Sequence, residues 1–346
     1  MNTSTLSYGA DPSGLICGYL IDPSMGGQAL ECQEAALWLD ARARVQEGAE
    51  APADASFLWL HFNLAHTGAL RWMKQHAALP DEFFEMLGSG LHSTRIERTE
   101  QALIAVINDV NFDFSFEPSD LSTLWINVAQ HLVITARQRP LRSVDRLRAA
   151  MKSGQPLRSS AELLEHLMRA QAEVLTDIVR GVTGRIDAIE DELLLARLDH
   201  KRARLGALRR LLVRLQRLLA PEPAALFRLL QHPPPWMTEL DVQELRQASE
   251  EFSVVLSDMN TLQERIKLLQ EEIAAQVNEG NNRSLFVLTI VTVLALPINI
   301  IAGLLGMNVG GVPLAQNMHG FWIVVAIVAA FTTVAGWLAF RKQRDR

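Results

Sequence analysis

The chain has 346 residues, 49% of them hydrophobic and 21% charged, with a formal net charge of −6. That length suits two or three domains, or one domain with membrane segments, and excludes a small single-domain chain. With only Cys17 and Cys32 present, a disulfide framework is excluded and the pair reads as two reduced thiols.

The opening "MNTSTLSYGADPSG" is polar and lacks an apolar core, so no secretory signal is expected and the N-terminal bulk is placed in the cytoplasm. Residues 1–152 alternate strand and helix patterns. Short strands are predicted at "LICGYLI" from Leu15, "FLWLHF" from Phe57, "ALIAVIND" from Ala102, "TLWINVA" from Thr123 and "HLVITARQ" from His131. Helices are predicted near Gln28–Val45, Leu64–His76 and Asp81–Leu87, and "QRPLRSVDRLRAAM" reads as a strand end turning into another helix. The result is a cytosolic α/β domain. It carries no Walker loop, GxGxxG, HExxH or GxSxG, so neither an enzyme nor a resident cofactor is expected. The scattered histidines read as packing residues.

Residues 159–235 read as a helical hairpin region. Ser159–Leu198 has helical periodicity with a capping-box start at Ser160. A basic run follows from Arg197 to Arg217. It lacks stacking aromatics and carries leucines at helical spacing, so it reads as a helix packed beside an acidic neighbour, with no nucleic-acid partner. "QHPPPW" then breaks the chain.

From residue 236 the pattern is one long stalk helix, 236–283, running unbroken into the membrane. Phe252, Leu256, Met259, Leu262, Ile266, Leu269, Ile273 and Val277 recur at steps of 3 or 4. Trp236 to Leu305 would span on the order of 100 Å. A helix that long needs parallel copies, in a ring or a coiled bundle. The stalk is acidic, and Glu244, Glu250, Glu251 and Asp258 are candidate holders of regulatory cations between subunits; solvated surface is the other reading of the same residues.

Ser284–Phe340 contains no Asp, Glu, Lys or Arg. Within it, 284–305 and 320–340 each match one bilayer crossing of about 20 helical residues. The tail 341–346, "RKQRDR", is basic, which places both termini in the cytoplasm and the 306–319 loop outside. On the first membrane helix Leu285, Thr289, Thr292, Leu296, Asn299 and Gly303 share one face. An amide at Asn299 cannot be satisfied by lipid, so this face reads as the wall of a pore, or as an interhelical contact within an oligomer. Pro297 sits mid-membrane, where a kink is expected.

The turn "GLLGMNVGGVPLAQNMHGFW" joins the two apolar runs without a charge. Neutral carbonyl and amide oxygens suit a pore mouth that must grip a hydrated cation without trapping it. Gly306 would turn the backbone and Asn308 would aim an amide oxygen at the axis; an ordinary helix C-cap explains the same residues. Gly306-Met307-Asn308 after "LPINIIAGLL", with the unbroken stalk, "NEGNN" before the membrane and the basic tail, resembles the signature of the CorA-type divalent metal transporters. That resemblance implies a homopentamer with a cytosolic funnel, a first membrane helix lining the pore, and Asn308 meeting the incoming hydrated ion. The outer loop "VGGVPLAQNMHGFW" lacks acids and is similar to the ZntB-like zinc branch. Thr292 and Asn299 would then line the pore, with Asn282 at its cytosolic end. His319 is a candidate zinc contact, since imidazole suits zinc better than magnesium. The expectation is an inner-membrane transporter passing a largely hydrated zinc ion. The alternatives are the same architecture moving magnesium, cobalt or nickel, and a non-transporting membrane-tethered scaffold.

Overall fold

The computed structural model describes residues 9–48, 55–90, 93–117, 119–194, 201–307 and 318–344. The chain forms two compact units, Met1–Leu268 and Leu269–Arg346.

The first unit is built on a seven-stranded sheet. Its strands are β1 (Leu15–Asp22), β2 (Gly26–Leu30), β3 (Phe57–Asn63), β4 (Arg95–Arg98), β5 (Ala102–Val110), β6 (Leu121–Ala129) and β7 (Leu132–Arg137). They lie in the order β2-β1-β3-β7-β6-β5-β4. All neighbours are antiparallel except β3 and β7, which run parallel with Leu58 opposite Leu132 and Asn63 opposite Arg137. Helices α1 (Cys32–Gly48), α2 (Thr67–His76) and α3 (Asp81–Gly88) pack on one face, around Leu58, Leu60, Phe62 and Trp125. Helices α4 (Arg142–Lys152), α5 (Ser160–Leu194) and α7 (Pro221–Leu229) pack on the other, around Phe57, Trp59 and Ile126. Covered twice, the central strands are apolar at nearly every position, and all seven residues of β3 are buried.

All five predicted strands are present. The two strands not foreseen, β2 and β4, are the edges of the sheet. The helix predicted from Gln28 therefore starts later, at Cys32, because Gln28 to Leu30 pair with β1. The helix predicted from Leu64 starts at Thr67, where the His66 ring accepts the Gly68 N–H at 3.1 Å as a cap.

The capping box lies one residue before its predicted place. Ser159 Oγ accepts the Glu162 N–H at 3.1 Å, so Ser159 and not Ser160 closes the first turn of α5. The same hydroxyl donates to Asp241 Oδ1 at 2.7 Å, while Asp241 Oδ2 accepts from the Thr238 N–H and hydroxyl. Thr238 and Asp241 form the capping box of α8 (Glu239–Leu305), so the beginnings of α5 and α8 share one hydrogen-bond cluster. The predicted apolar stripe on α8 is buried from Phe252 to Ile273, but Val277 is exposed. The basic helix α6 (Lys201–Leu219) buries its leucine face and does meet α8, through Gln263 Nε2 donating to Gln216 Oε1 at 2.7 Å. The α5 acids Asp187 and Glu190 instead pair with Arg265 of α8.

Two carboxyls are wholly buried where α7 meets the sheet. Burial pushes Asp109 up to about 6, against hydrogen bonds from Ser143 and the Val110 N–H. Burial, then the Asp109 charge, holds Glu222 well above its usual range. Both bind their proton more tightly folded than unfolded. Their contribution is therefore complete below the ordinary carboxylate range and is lost as pH rises through the folded values. Denaturation midpoints of the full chain in detergent should fall as pH rises from the ordinary carboxylate range through about 6 and above, and Glu222→Gln should shallow that fall and stabilise the protein at its upper end. An unchanged slope in the variant would remove Glu222 from this role.

Candidate ion pathway

The second unit holds the membrane part of α8, the turn after it, and α9 (Gly320–Arg344). Both helices are long and apolar enough to cross a membrane, and their most apolar windows are almost entirely unburied. A soluble core helix of that composition would be covered. α9 has Phe321 and Trp322 exposed at one end and Trp337 exposed at the other, with the Arg341 guanidinium 5.2 Å over the Trp337 ring. Aromatic and basic residues at the two ends of an apolar helix are the usual anchors at bilayer interfaces.

Exposure sorts α8 into two faces. Asn282, Leu285, Thr289, Thr292, Leu296, Asn299 and Gly303 are all exposed. Ile290, Leu294, Pro297, Ile298, Ile301 and Leu305 are partly covered, and so are Val324, Val328 and Thr332 on α9. Taken at about 100° per residue, the two α8 stripes lie on roughly opposite sides of the helix. Partial cover of one stripe on each helix is what two neighbouring helices give each other. The polar stripe is uncovered in a single chain, together with apolar neighbours such as Leu288, Val291, Ile300 and Leu304.

The spacing of that stripe is regular. Asn282, Thr289, Leu296 and Gly303 stand seven apart, as do Leu285, Thr292, Asn299 and Gly306. A sustained seven-residue repeat of this kind keeps one face toward parallel copies of the same helix. Along it, the Thr289 hydroxyl donates to Leu285 O at 2.8 Å and the Thr292 hydroxyl to Leu288 O at 2.9 Å. Each hydroxyl proton is thereby spent within the helix, and the oxygen lone pairs remain to accept from water. The helix continues through Pro297 and ends with the Gly306 N–H on Ala302 O at 2.9 Å.

Gly306 and Met307 are exposed in the turn; Asn308, the third residue of the signature, lies outside the described residues. His319 is exposed just before α9. Among the described residues, no group of three or more His, Cys, Asp or Glu is placed to hold a metal ion. Of the stalk candidates, Glu244 pairs with Arg158, and Glu251 lies 3.8 Å from Arg169. Glu250 and Asp258 are exposed.

The family model described as "CorA-like Mg2+ transporter protein" matches residues 54–342. The chain belongs to this family. As a CorA-family member it is a divalent cation transporter and not an enzyme. The divalent cation transporter CmaX of Pseudomonas aeruginosa is 28% identical over 337 residues, 96% of this chain and 97% of CmaX. The zinc transport protein ZntB of Yersinia enterocolitica is 24% identical over 285 residues, 82% of this chain and 87% of that one. The solved structure of full-length CmaX matches with a TM-score of 0.76 over 97% of this chain and 99% of CmaX. The CorA magnesium transporter of Methanocaldococcus jannaschii, at 19% identity, shares the fold with a TM-score of 0.73 over 93% of this chain and 96% of its own. The CorA fold thus comprises the N-terminal α/β domain, the long helix and the C-terminal helix seen here.

The two-faced exposure of α8 has a direct consequence. With Cys17 and Cys32 replaced by alanine, Thr292→Cys and Asn299→Cys in proteoliposomes should react several-fold faster with a membrane-impermeant thiol reagent than Leu294→Cys and Ile301→Cys. Equal rates on both faces would contradict the assignment.

Proposed function

We propose that this CorA-family transporter is a homopentamer of the inner membrane with both termini in the cytoplasm, and that it carries zinc. The observation that carries the pore reading is the exposed, seven-residue-spaced polar face of α8 from Asn282 to Gly306. Copies of α8 meeting along that face would enclose hydroxyl, amide and main-chain oxygens, and nothing with a formal charge. Such a lining exchanges hydrogen bonds with an ion's water shell and does not strip it, so the ion crosses largely hydrated. Gly306, Met307 and Asn308 form the entrance, with the Asn308 amide replacing part of the outer hydration. The same spacing extended down the stalk takes in Leu240, Val254 and Leu268, three apolar residues exposed on the first unit. An isolated chain would leave these in water, which supports assembly about α8.

Zinc is favoured by the acid-free outer loop, by Met318 and His319 beside α9, and by the named zinc transporters among the relatives. A soft imidazole near the mouth would bias capture toward zinc, while selection inside the path stays modest. The magnesium reading keeps one point in its favour, the description of the family model. No resident cofactor is required; the divalent cation is cargo. Glu244, Glu250, Glu251 and Asp258 would hold cations only between neighbouring subunits, where they would restrain the stalks.

Purified protein in liposomes should take up zinc, and Asn308→Ala, which removes one amide from every subunit at the entrance, should lower that flux by about tenfold or more. Unchanged flux would remove Asn308 from the entrance. An excess of magnesium that abolishes zinc uptake would favour the magnesium reading.

A further inference from the structure

A cavity of about 70 Å³ lies in the first unit between the sheet and the start of α4, outside anything the transport reading uses. His61, Arg137, Leu141, Val144, Asp145 and Arg148 are among its walls. Its position follows from the topology. β3 and β7 are the one parallel pair in the sheet, and His61 and Arg137 sit at or near their carboxyl ends. The chain then turns directly into α4, so the amino end of that helix closes the cavity. In open α/β sheets, ligands bind beyond the carboxyl ends of parallel strands; in the first turn of α4 the Ser143 N–H is already taken by Asp109 Oδ2 at 3.3 Å, so the arginines and not the helix end would supply the donors.

The charges in the walls point the same way. Arg137 is 3% exposed, and its Nε donates to His61 Nε2 at 3.0 Å. That nitrogen therefore carries no proton, and the other, Nδ1, faces the Thr135 hydroxyl at 2.8 Å. Burial, then the charges of Arg137 and Arg148, hold His61 well below its usual range. A neutral imidazole fixes the direction of the Arg137 guanidinium and adds no negative charge. Asp145 is the one carboxylate among the lining residues; it is exposed, with Arg148 Nη1 3.4 Å away. Arg148 Nε is buried and has no acceptor among the described residues. That N–H is closed to water, so an acceptor in the cavity would meet the other guanidinium nitrogens of Arg148 and Arg137, both of which line it.

We propose that this cavity binds a small phosphate-type oxyanion, gripped by Arg148 and Arg137 at the amino end of α4. One water needs roughly 10–15 Å³ by this measure, so the space suits a few waters or a single oxyanion of that kind. Two guanidinium groups at one site match the geometry of phosphate oxygens better than lysines would.

The test is titration of the full-length protein in detergent with inorganic phosphate by calorimetry, followed by hydrogen–deuterium exchange with and without phosphate. The expected result is saturable binding of one phosphate per chain, with new protection confined to residues 137–148. Arg148→Gln should weaken binding by about tenfold or more, and Arg148→Lys, which keeps the charge but loses the planar fork of donors, should weaken it as well. Competition by AMP would identify the natural occupant as a phosphate group on a larger molecule; indifference to AMP would identify a free oxyanion. Absence of saturable binding by the wild type, protection elsewhere, or wild-type affinity in folded variants would each overturn the proposal. None of these readouts involves ion flux, so the zinc reading stands or falls separately.

Discussion

Hydrocarbon offers no hydrogen bonds, and that constraint governs the functional half of this chain. An amide moved out of water without partners costs roughly 1–3 kcal/mol by the protein scale, and more in a purely apolar medium. Asn299 and the threonines before it are on the face of α8 that its own chain leaves uncovered. The threonines ease part of that cost by bonding carbonyls one turn back. Among the described residues no hydrogen bond of the Asn299 amide matches those of the threonines, so its face is expected to meet water or other copies of the helix. A shared wet path provides both at once. On the proposed reading, pore and assembly would be two consequences of the same polar groups.

The α/β unit answers a different problem, how to begin a 67-residue helix in a defined place. Its start is fixed by side chains and not by apolar contact alone. Asp241 is almost wholly buried, yet both its oxygens are occupied, one by Ser159 and the other by Thr238. The cluster ties the first turn of α8 to the first turn of α5. Further along, Arg265 on α8 lies between Asp187 and Glu190 of α5. Where α7 meets β5, Asp109 and Glu222 are buried carboxyls that keep their protons to higher pH than exposed ones, Asp109 up to about 6.

The legible parts of the fold were those where one strong physical demand acts on consecutive residues. Strands buried on both faces must be apolar throughout, so "FLWLHF" and "ALIAVIND" announce themselves. The edge strands obey no such demand. β2 is "GGQAL" and β4 is "RIER", one glycine-rich and the other charged, both short as edges often are, and neither is distinct from a turn. The membrane helices and the polar stripe were readable because charge is absent over a long run and helical spacing is fixed. Sequence spacing could not show which side of α8 is covered, since that depends on where α9 lies. The cavity beneath α4 escaped entirely. His61 and Arg137 are far apart in the chain, and only the parallel register of β3 on β7 brings them together. Their one sequence signal is polarity inside strands buried on both faces, which packing alone also explains.

The central claim is that the Asn282–Gly306 stripe of several copies surrounds a water-filled axis. A single-particle structure of the full-length protein in lipid nanodiscs addresses it most directly. The account predicts Thr292 and Asn299 of every copy pointing at a common axis, with ordered water or hydrated ion density between them. Those side chains directed at acyl chains, or a symmetry axis closed by dry apolar packing along its whole membrane length, would contradict it.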